Sequence, residues 1–225
     1  MITDAINVRG DVVLSLYEKD GSLKHQAEVR NLVTTAGKNY IVRKMFGDAE
    51  TVAKISIGDG TMYQYAGTTN STTGAATRTS FSGTPNNIST PLKYTPGKVT
   101  VTKNGSELSP TLYTATSGSA IVLTTAAGAS DIIRVYSAVV TASDTTLENK
   151  LSDRTIQFNF IDQVNTNLIH YITTFEENVG TGIIREVGLS SSSTPEKLLC
   201  RTALTTPFVK AATDYLVVNW KLQIG

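Results

Sequence analysis

Cysteine is nearly missing from this chain of 225 residues. Cys200 stands alone, which excludes an internal disulfide and any zinc cluster built on thiolates. Histidine is almost as scarce, since His25 and His170 are the only two. There is no excess of either charge: 20 Lys and Arg face 19 Asp and Glu, a formal net charge of +1. A protein that binds nucleic acid by releasing counterions from many phosphates needs a basic surplus, so that class is set aside. No stretch approaches the roughly 18 apolar residues that cross a bilayer as a helix. Met1 to Asp11 has no apolar core behind a basic region, so no secretory signal is read there. The expectation is a soluble chain made in a reducing compartment and poor in the residues that do most chemistry.

Hydroxyls fill the gap. The chain holds 34 Thr and 19 Ser, while charged residues make up only 17%. Thr favours strands and Ser favours turns, so the composition predicts an all-β protein with many connections. Val12, Leu14 and Leu16 alternate with Val13, Ser15 and Tyr17, and Asp20-Gly21 supplies a hairpin turn before a return strand from Lys24 to Val33. One helix is predicted over residues 36–46, capped by Thr34 or Thr35 and ended by Gly47. Residues 65–90 are dominated by Thr, Ser, Gly and Asn and read as a polar arm. From 91 to 140 short strands separated by turns, with Asn104-Gly105 the strongest, make a small β-module. The final strand is the clearest: Leu216, Val218, Trp220, Leu222 and Ile224 share one face, which demands a partner sheet. The prediction is a β-sandwich core domain of residues 1–90 and 141–225, with the module of residues 91–140 inserted in its middle.

Catalytic constellations are thin. His170 lies in an alternating strand and Cys200 follows two leucines, so both read as sandwich residues rather than a nucleophile and its base. Glu176, Glu177, Asp59, Asp153 and Glu186 could supply the carboxylate pair of a glycosidase, but adjacent glutamates on a strand point to opposite faces. Solvated turn charges are the favoured reading. Gly58-Asp59-Gly60-Thr61 and Gly180-Thr181-Gly182 lack the Lys-Ser/Thr of a phosphate loop and the third glycine of a dinucleotide fingerprint, so turn geometry accounts for them. Arg9-Gly10-Asp11 and the Asn104-Gly105-Ser106 sequon are treated as chance matches. No catalytic, cofactor-binding or metal-binding residue is assigned, and no cofactor is expected.

Asn31-Leu32-Val33-Thr34-Thr35-Ala36-Gly37-Lys38-Asn39-Tyr40-Ile41 resembles the opening of a family of small β-rich structural proteins of tailed-bacteriophage virions. Ile55-Ser56-Ile57-Gly58-Asp59-Gly60-Thr61 resembles a second element of that family. Residues 181–189, 199–202 and 216–224 are similar to its closing strands. The block with Tyr94-Thr95-Pro96-Gly97-Lys98-Val99-Thr100-Val101, Asn104-Gly105 and Tyr113-Thr114-Ala115-Thr116 resembles a module recurrent in phage tail-fibre and virion-surface proteins. The resemblance implies a non-enzymatic structural protein in the tail, baseplate or fibre junction, assembled in the bacterial cytoplasm and resident in the virion. A capsid cement or decoration protein on the head surface is the alternative; a depolymerase or a carbohydrate-binding module is less favoured. The partners implied are copies of the chain itself, as a trimer or hexamer, and other virion proteins. A host surface glycan is a further candidate, for which Tyr94, Tyr113 and Tyr136 offer stacking faces. Nucleic acid and membrane insertion are not expected. Strand edges, the arm of residues 65–90 and Met1 to Val8 are the candidate means of assembly.

Overall fold

Along the closing strand, alternate side chains fall inward as the pattern requires: Leu216, Val218, Trp220 and Leu222 are buried, and only Ile224 at its end is 38% exposed. The computed structural model describes residues 8–66, 79–81, 92–125, 127–128 and 130–225. It divides the chain into an outer unit, Met1–Asp59 with Val140–Gly225, and an inserted unit, Gly60–Val139.

The outer unit contributes β1 (Val8–Tyr17), β2 (Leu23–Arg30), β3 (Leu32–Val33), α1 (Thr35–Met45) and β4 (Val52–Gly58) before the insert. The insert carries β5 (Thr61–Ala66), β6 (Thr79–Phe81), β7 (Val99–Lys103), β8 (Ser106–Glu107), β9 (Tyr113–Thr114), β10 (Ile121–Leu123) and β11 (Ile132–Ser137). The chain then returns through β12 (Lys150–Thr155), β13 (Phe158–Ile161), β14 (Leu168–Phe175), β15 (Gly182–Ser191), β16 (Leu198–Lys210) and β17 (Tyr215–Ile224).

Two five-stranded antiparallel sheets form the outer unit, in the orders β13-β14-β17-β1-β2 and β12-β4-β15-β16-β3. Their inner faces share one apolar core, in which Leu14, Phe175 and Trp220 of the first sheet join Ile57, Val187 and Phe208 of the second. This is the expected sandwich, an all-β fold with α1 as the α-helix among the described residues. Both flanks are turned by a chain that changes sheet. The predicted return strand from Lys24 to Val33 is split at Asn31, because β2 pairs with β1 while Leu32 and Val33 pair with Arg201 and Cys200 of β16. On the opposite flank consecutive amides go to different sheets: Ile156 N–H donates to Ala53, and Gln157 N–H donates to Ile172.

The helix begins and ends at residues that predict it, Thr34 before it and Gly47, at φ 84°, after it. Thr34 caps it, its hydroxyl accepting from the Gly37 amide at 3.0 Å while donating to the Leu198 carbonyl at 2.6 Å. Packing explains the glycine at 37. A Cβ there would lie 2.1 Å from the Leu199 carbonyl oxygen, so only glycine lets α1 approach β16 this closely.

The inserted unit begins at Gly60, earlier than the sequence suggests. β5 pairs with β11 from Thr61↔Ser137 to Ala66↔Ile132, and β6 pairs with β10. Residues 61–66 and 79–81 therefore belong to the insert, and the boundary read at residue 91 is corrected to 60. The reason is that hydrogen-bonded pairing with distant strands recruits them; segments of six and three residues are too short to show a hydrophobic period. The remainder of the predicted arm, residues 67–78 and 82–91, lies outside the described residues, as do Met1 to Asn7. Within the unit, Asn104 and Gly105 both take positive φ, 52° and 85°, as a two-residue hairpin turn requires. The return strand is shorter than expected, ending at Glu107, and Tyr113 pairs with Leu123 in a separate three-stranded sheet. Tyr63, Leu92, Tyr94, Val101, Ile121, Leu123, Ile133 and Val135 form this unit's own core.

Candidate functional site

The residues with catalytic potential are scattered. Cys200 is buried in the sandwich core, and burial pushes its thiol up to about 12, the opposite of what a nucleophile needs. His25 packs on Phe208 with ring centroids 4.8 Å apart. His170 has other partners: Nδ1 lies 3.1 Å from Asn219 Oδ1, Nε2 lies 3.5 Å from Asp162, and the ring stacks on Phe160. Neither imidazole has Cys200 among these partners.

The five carboxylates separate in the same way. Glu176 and Glu177 are exposed beyond the end of β14, paired with Arg154 at 3.1 Å and Lys19 at 3.8 Å. Asp153 pairs with Lys150 along β12, and that contact with the ammonium lowers its carboxyl below the usual range. Asp59 and Glu186 alone converge, on either side of Asn149. The Asn149 side chain donates to Asp59 at 2.6 Å, and its backbone amide donates to Glu186 at 3.0 Å.

This convergence is a structural junction, built where the chain leaves the sandwich and comes back. Gly58 leaves a gap that Glu186 and the returning chain fill, since a Cβ there would meet the Asn149 carbonyl at 2.5 Å and Glu186 Oε1 at 2.7 Å. Asp59 N–H donates to the Asn149 carbonyl at 3.1 Å. Glu186 is fully buried; its carboxylate accepts from the Arg201 guanidinium at 2.6 and 3.0 Å and from the Glu148 and Asn149 amides. Arg201 reaches on to Asp144 at 2.6 Å and Glu148 at 3.5 Å. A carboxylate held by a guanidinium and two amides, and sealed from solvent, is not open to a substrate. What it can do is fix residues 144–149 against β15 and β16, because removing one member of a buried pair strands the other charge.

Sequence reasoning placed Glu186 among solvated acids and passed over Arg201. The available signal was the presence of opposite charges inside two otherwise apolar strands. Lys210 was missed likewise: it is fully buried, its ammonium donating to the carbonyls of Glu176 and Asp214 at 2.9 and 2.7 Å.

The tyrosines read as stacking faces are used differently. Tyr94 is only 3% exposed and its hydroxyl donates to the Ala120 carbonyl at 2.6 Å. Tyr113 packs against the same core and donates to Val99 at 3.2 Å. Both are corrected to core anchors of the inserted unit, and Tyr136 is half-buried on β11. A groove of about 470 Å³ runs along α1, lined by Ala36, Asn39, Val42, Arg43 and Lys197. Its two cations are already engaged by Glu50, whose carboxyl is lowered to about 2 by hydrogen bonds from Ser191 and from Lys197.

One exposed feature stands apart from these internal contacts. Every residue of the edge strand β13 is exposed, with Phe158 at 66%, Phe160 at 48% and Ile161 at 59%, and Val164 just beyond it at 88%. Among the described residues no three His, Cys, Asp or Glu side chains gather as a metal site, and no helix is long and apolar enough to cross a membrane. No family model, no curated protein and no solved structure matches this chain.

Proposed function

We propose that this chain is a non-enzymatic structural protein of a tailed-phage virion, placed at the tail, baseplate or fibre junction and working through contacts between copies. The observation that carries the reading is how the family-like segments fold. Leu32–Val33, Ile55–Gly58, residues 182–189 and 199–202 are far apart in sequence yet lie in neighbouring strands of one sheet, with α1 packed on β16. The remaining family-like segment, residues 216–224, is β17 in the centre of the facing sheet, so the set supplies most of one layer and the middle of the other, which is what a shared scaffold would retain. The use of polar side chains supports the same reading, since the buried ones hold the fold together, and the exposed apolar residues include a strand edge, β13, suited to assembly.

Immunogold labelling of intact particles with antibody against the chain tests the position. Label at the tail tip or fibre base is expected. Label spread over the head and absent from the tail would favour the cement alternative, and particles free of the chain would overturn both. Release of reducing ends from host capsule by purified protein, lost on Glu177→Gln, would overturn the non-enzymatic reading.

A further inference from the structure

Among the described residues the sandwich has four edge strands, and three of them discourage pairing. β3 is two residues long, β2 carries Lys24, Glu28 and Arg30, and β12 carries Lys150, Asp153 and Arg154. Short or charged edges are how sheets avoid adding strands. β13 is also short, at four residues, but it is long enough to pair and carries no charge, since its sequence is Phe158-Asn159-Phe160-Ile161.

The register shows which peptide groups it offers. Asp162 N–H donates to Leu168 O, and β13 pairs with β14 through Phe160↔His170 and Phe158↔Ile172. In an antiparallel ladder the bonded residues alternate, so the N–H and C=O of Asn159 and Ile161 point away from β14. These two residues lie symmetrically about Phe160.

From this we infer that β13 is a contact between two copies of this chain, paired antiparallel about a two-fold axis through Phe160. In that register Asn159 faces Ile161 of the second copy twice over, forming about four main-chain hydrogen bonds and leaving none of the four outward residues unmatched. Phe160 faces Phe160 across the axis in a non-bonded pair, where cross-strand aromatic contacts are closest. No charge opposes a like charge, because the strand carries none and Asp162 faces Phe158, and the net charge of +1 sets up little long-range repulsion between copies. The Phe160 ring is already held, stacked on His170 at 4.6 Å with an interplanar angle of 6°, so little side-chain freedom is lost on pairing. A strand from a different protein would match the peptide groups but has no reason to be symmetric about Phe160. Four residues bury less than the about 1,200 Å² of stable complexes, so the contact is weak between isolated copies and gains from avidity in an array. It does not depend on the virion reading.

The test is a cross-link in the full chain. Residues opposite each other in a non-bonded pair lie about 4.5 Å apart at Cα, within disulfide reach, and the native Cys200 is buried. Phe160→Cys under mild oxidation is expected to give a covalent dimer at least about tenfold faster than Val164→Cys, which is more exposed but faces no copy of itself. Adding Asn159→Pro, which removes an outward amide, should abolish the difference while the melting temperature holds. If that proline lowers the melt, Ile161→Lys provides the same block without constraining the backbone. Equal rates for the two cysteine variants, or a rate indifferent to both blocking changes, would overturn the contact. The purified chain suffices, so labelling of particles can fail without touching this result, and the reverse.

Discussion

The outer and inserted units solve the same problem with different means. The outer unit has strands of up to 13 residues, two sheets sharing one core, and charged side chains sealed inside, with Glu186 and Lys210 fully buried. The inserted unit has strands of two to six residues, a smaller core, and polar anchoring by tyrosine hydroxyls and turn side chains. Its best-anchored acid, Asp131, lies half-buried beside a turn and outside the apolar core, taking bonds from Lys103, Asn104 and the Gly128 amide, which together lower it to about 2. A large core can contain ion pairs because the surrounding contacts offset their desolvation. A small one keeps its charges outside. The difference predicts a robust frame carrying a separable, weaker module.

The sharpest way to break this comparison is to damage the frame. Trp220→Ala removes the largest fully buried side chain and is expected to cost about 3–5 kcal/mol; calorimetry should show the outer transition lost or much lowered. Glu186→Ala takes from the buried Arg201 guanidinium its fully buried carboxylate and leaves it Asp144 and Glu148, at a cost of about 3 kcal/mol. Its denaturant midpoint should fall nearly as far as that of Trp220→Ala, and an unchanged midpoint would refute the structural role of the network. Ile133→Ala in the insert core should cost about 2–4 kcal/mol, but in the inserted unit alone. Two transitions in the melt, with only one moved, would confirm the separation.

Acid sharpens the comparison without mutation. Glu50 in the frame and Asp131 in the insert both have folded values near 2, below the ordinary carboxylate range. A depressed value means the folded state binds fewer protons, so both groups stabilise at neutral pH and that contribution is lost as pH falls from about 4.5 towards 2. Glu50→Gln should flatten the acid limb of the frame and Asp131→Asn that of the insert. The smallest effect on the frame should come from the largest excision. Thr61 lies opposite Ser137, so the ends of the insert are neighbours, and replacing Gly60–Val139 by a short Gly-Ser linker changes loop closure little. The frame's melting temperature should stay within a few degrees; loss of cooperativity would show one continuous fold.

What the sequence revealed follows the same division. The Asp20-Gly21 and Asn104-Gly105 turns, the capped helix and the face of the last strand were legible because each rests on local geometry. The split at Asn31 was not, because Leu32 and Val33 continue the alternation of β2 while bonding to another sheet. β5 and β6 were hidden for a related reason: their identity lies in partners some seventy and forty residues away, and strands of six and three residues are too short to show a period. The junction was half-legible. Gly58-Asp59-Gly60 showed as a tight element, but the carboxylate filling the space beside Gly58 comes from a strand 128 residues later.

The pairing of the first and last strands has a mechanical consequence. β1 and β17 run antiparallel with Val8 opposite Ile224 and Tyr17 opposite Tyr215, so both ends of the chain leave from the same end of one ladder. A pull that separates them loads the first rung, then the next, and the sheet unzips at low force. A pull between Val8 and Tyr215 would load all the rungs at once in shear. An attachment made at the two termini would therefore release under tension, and one made across the ladder would hold.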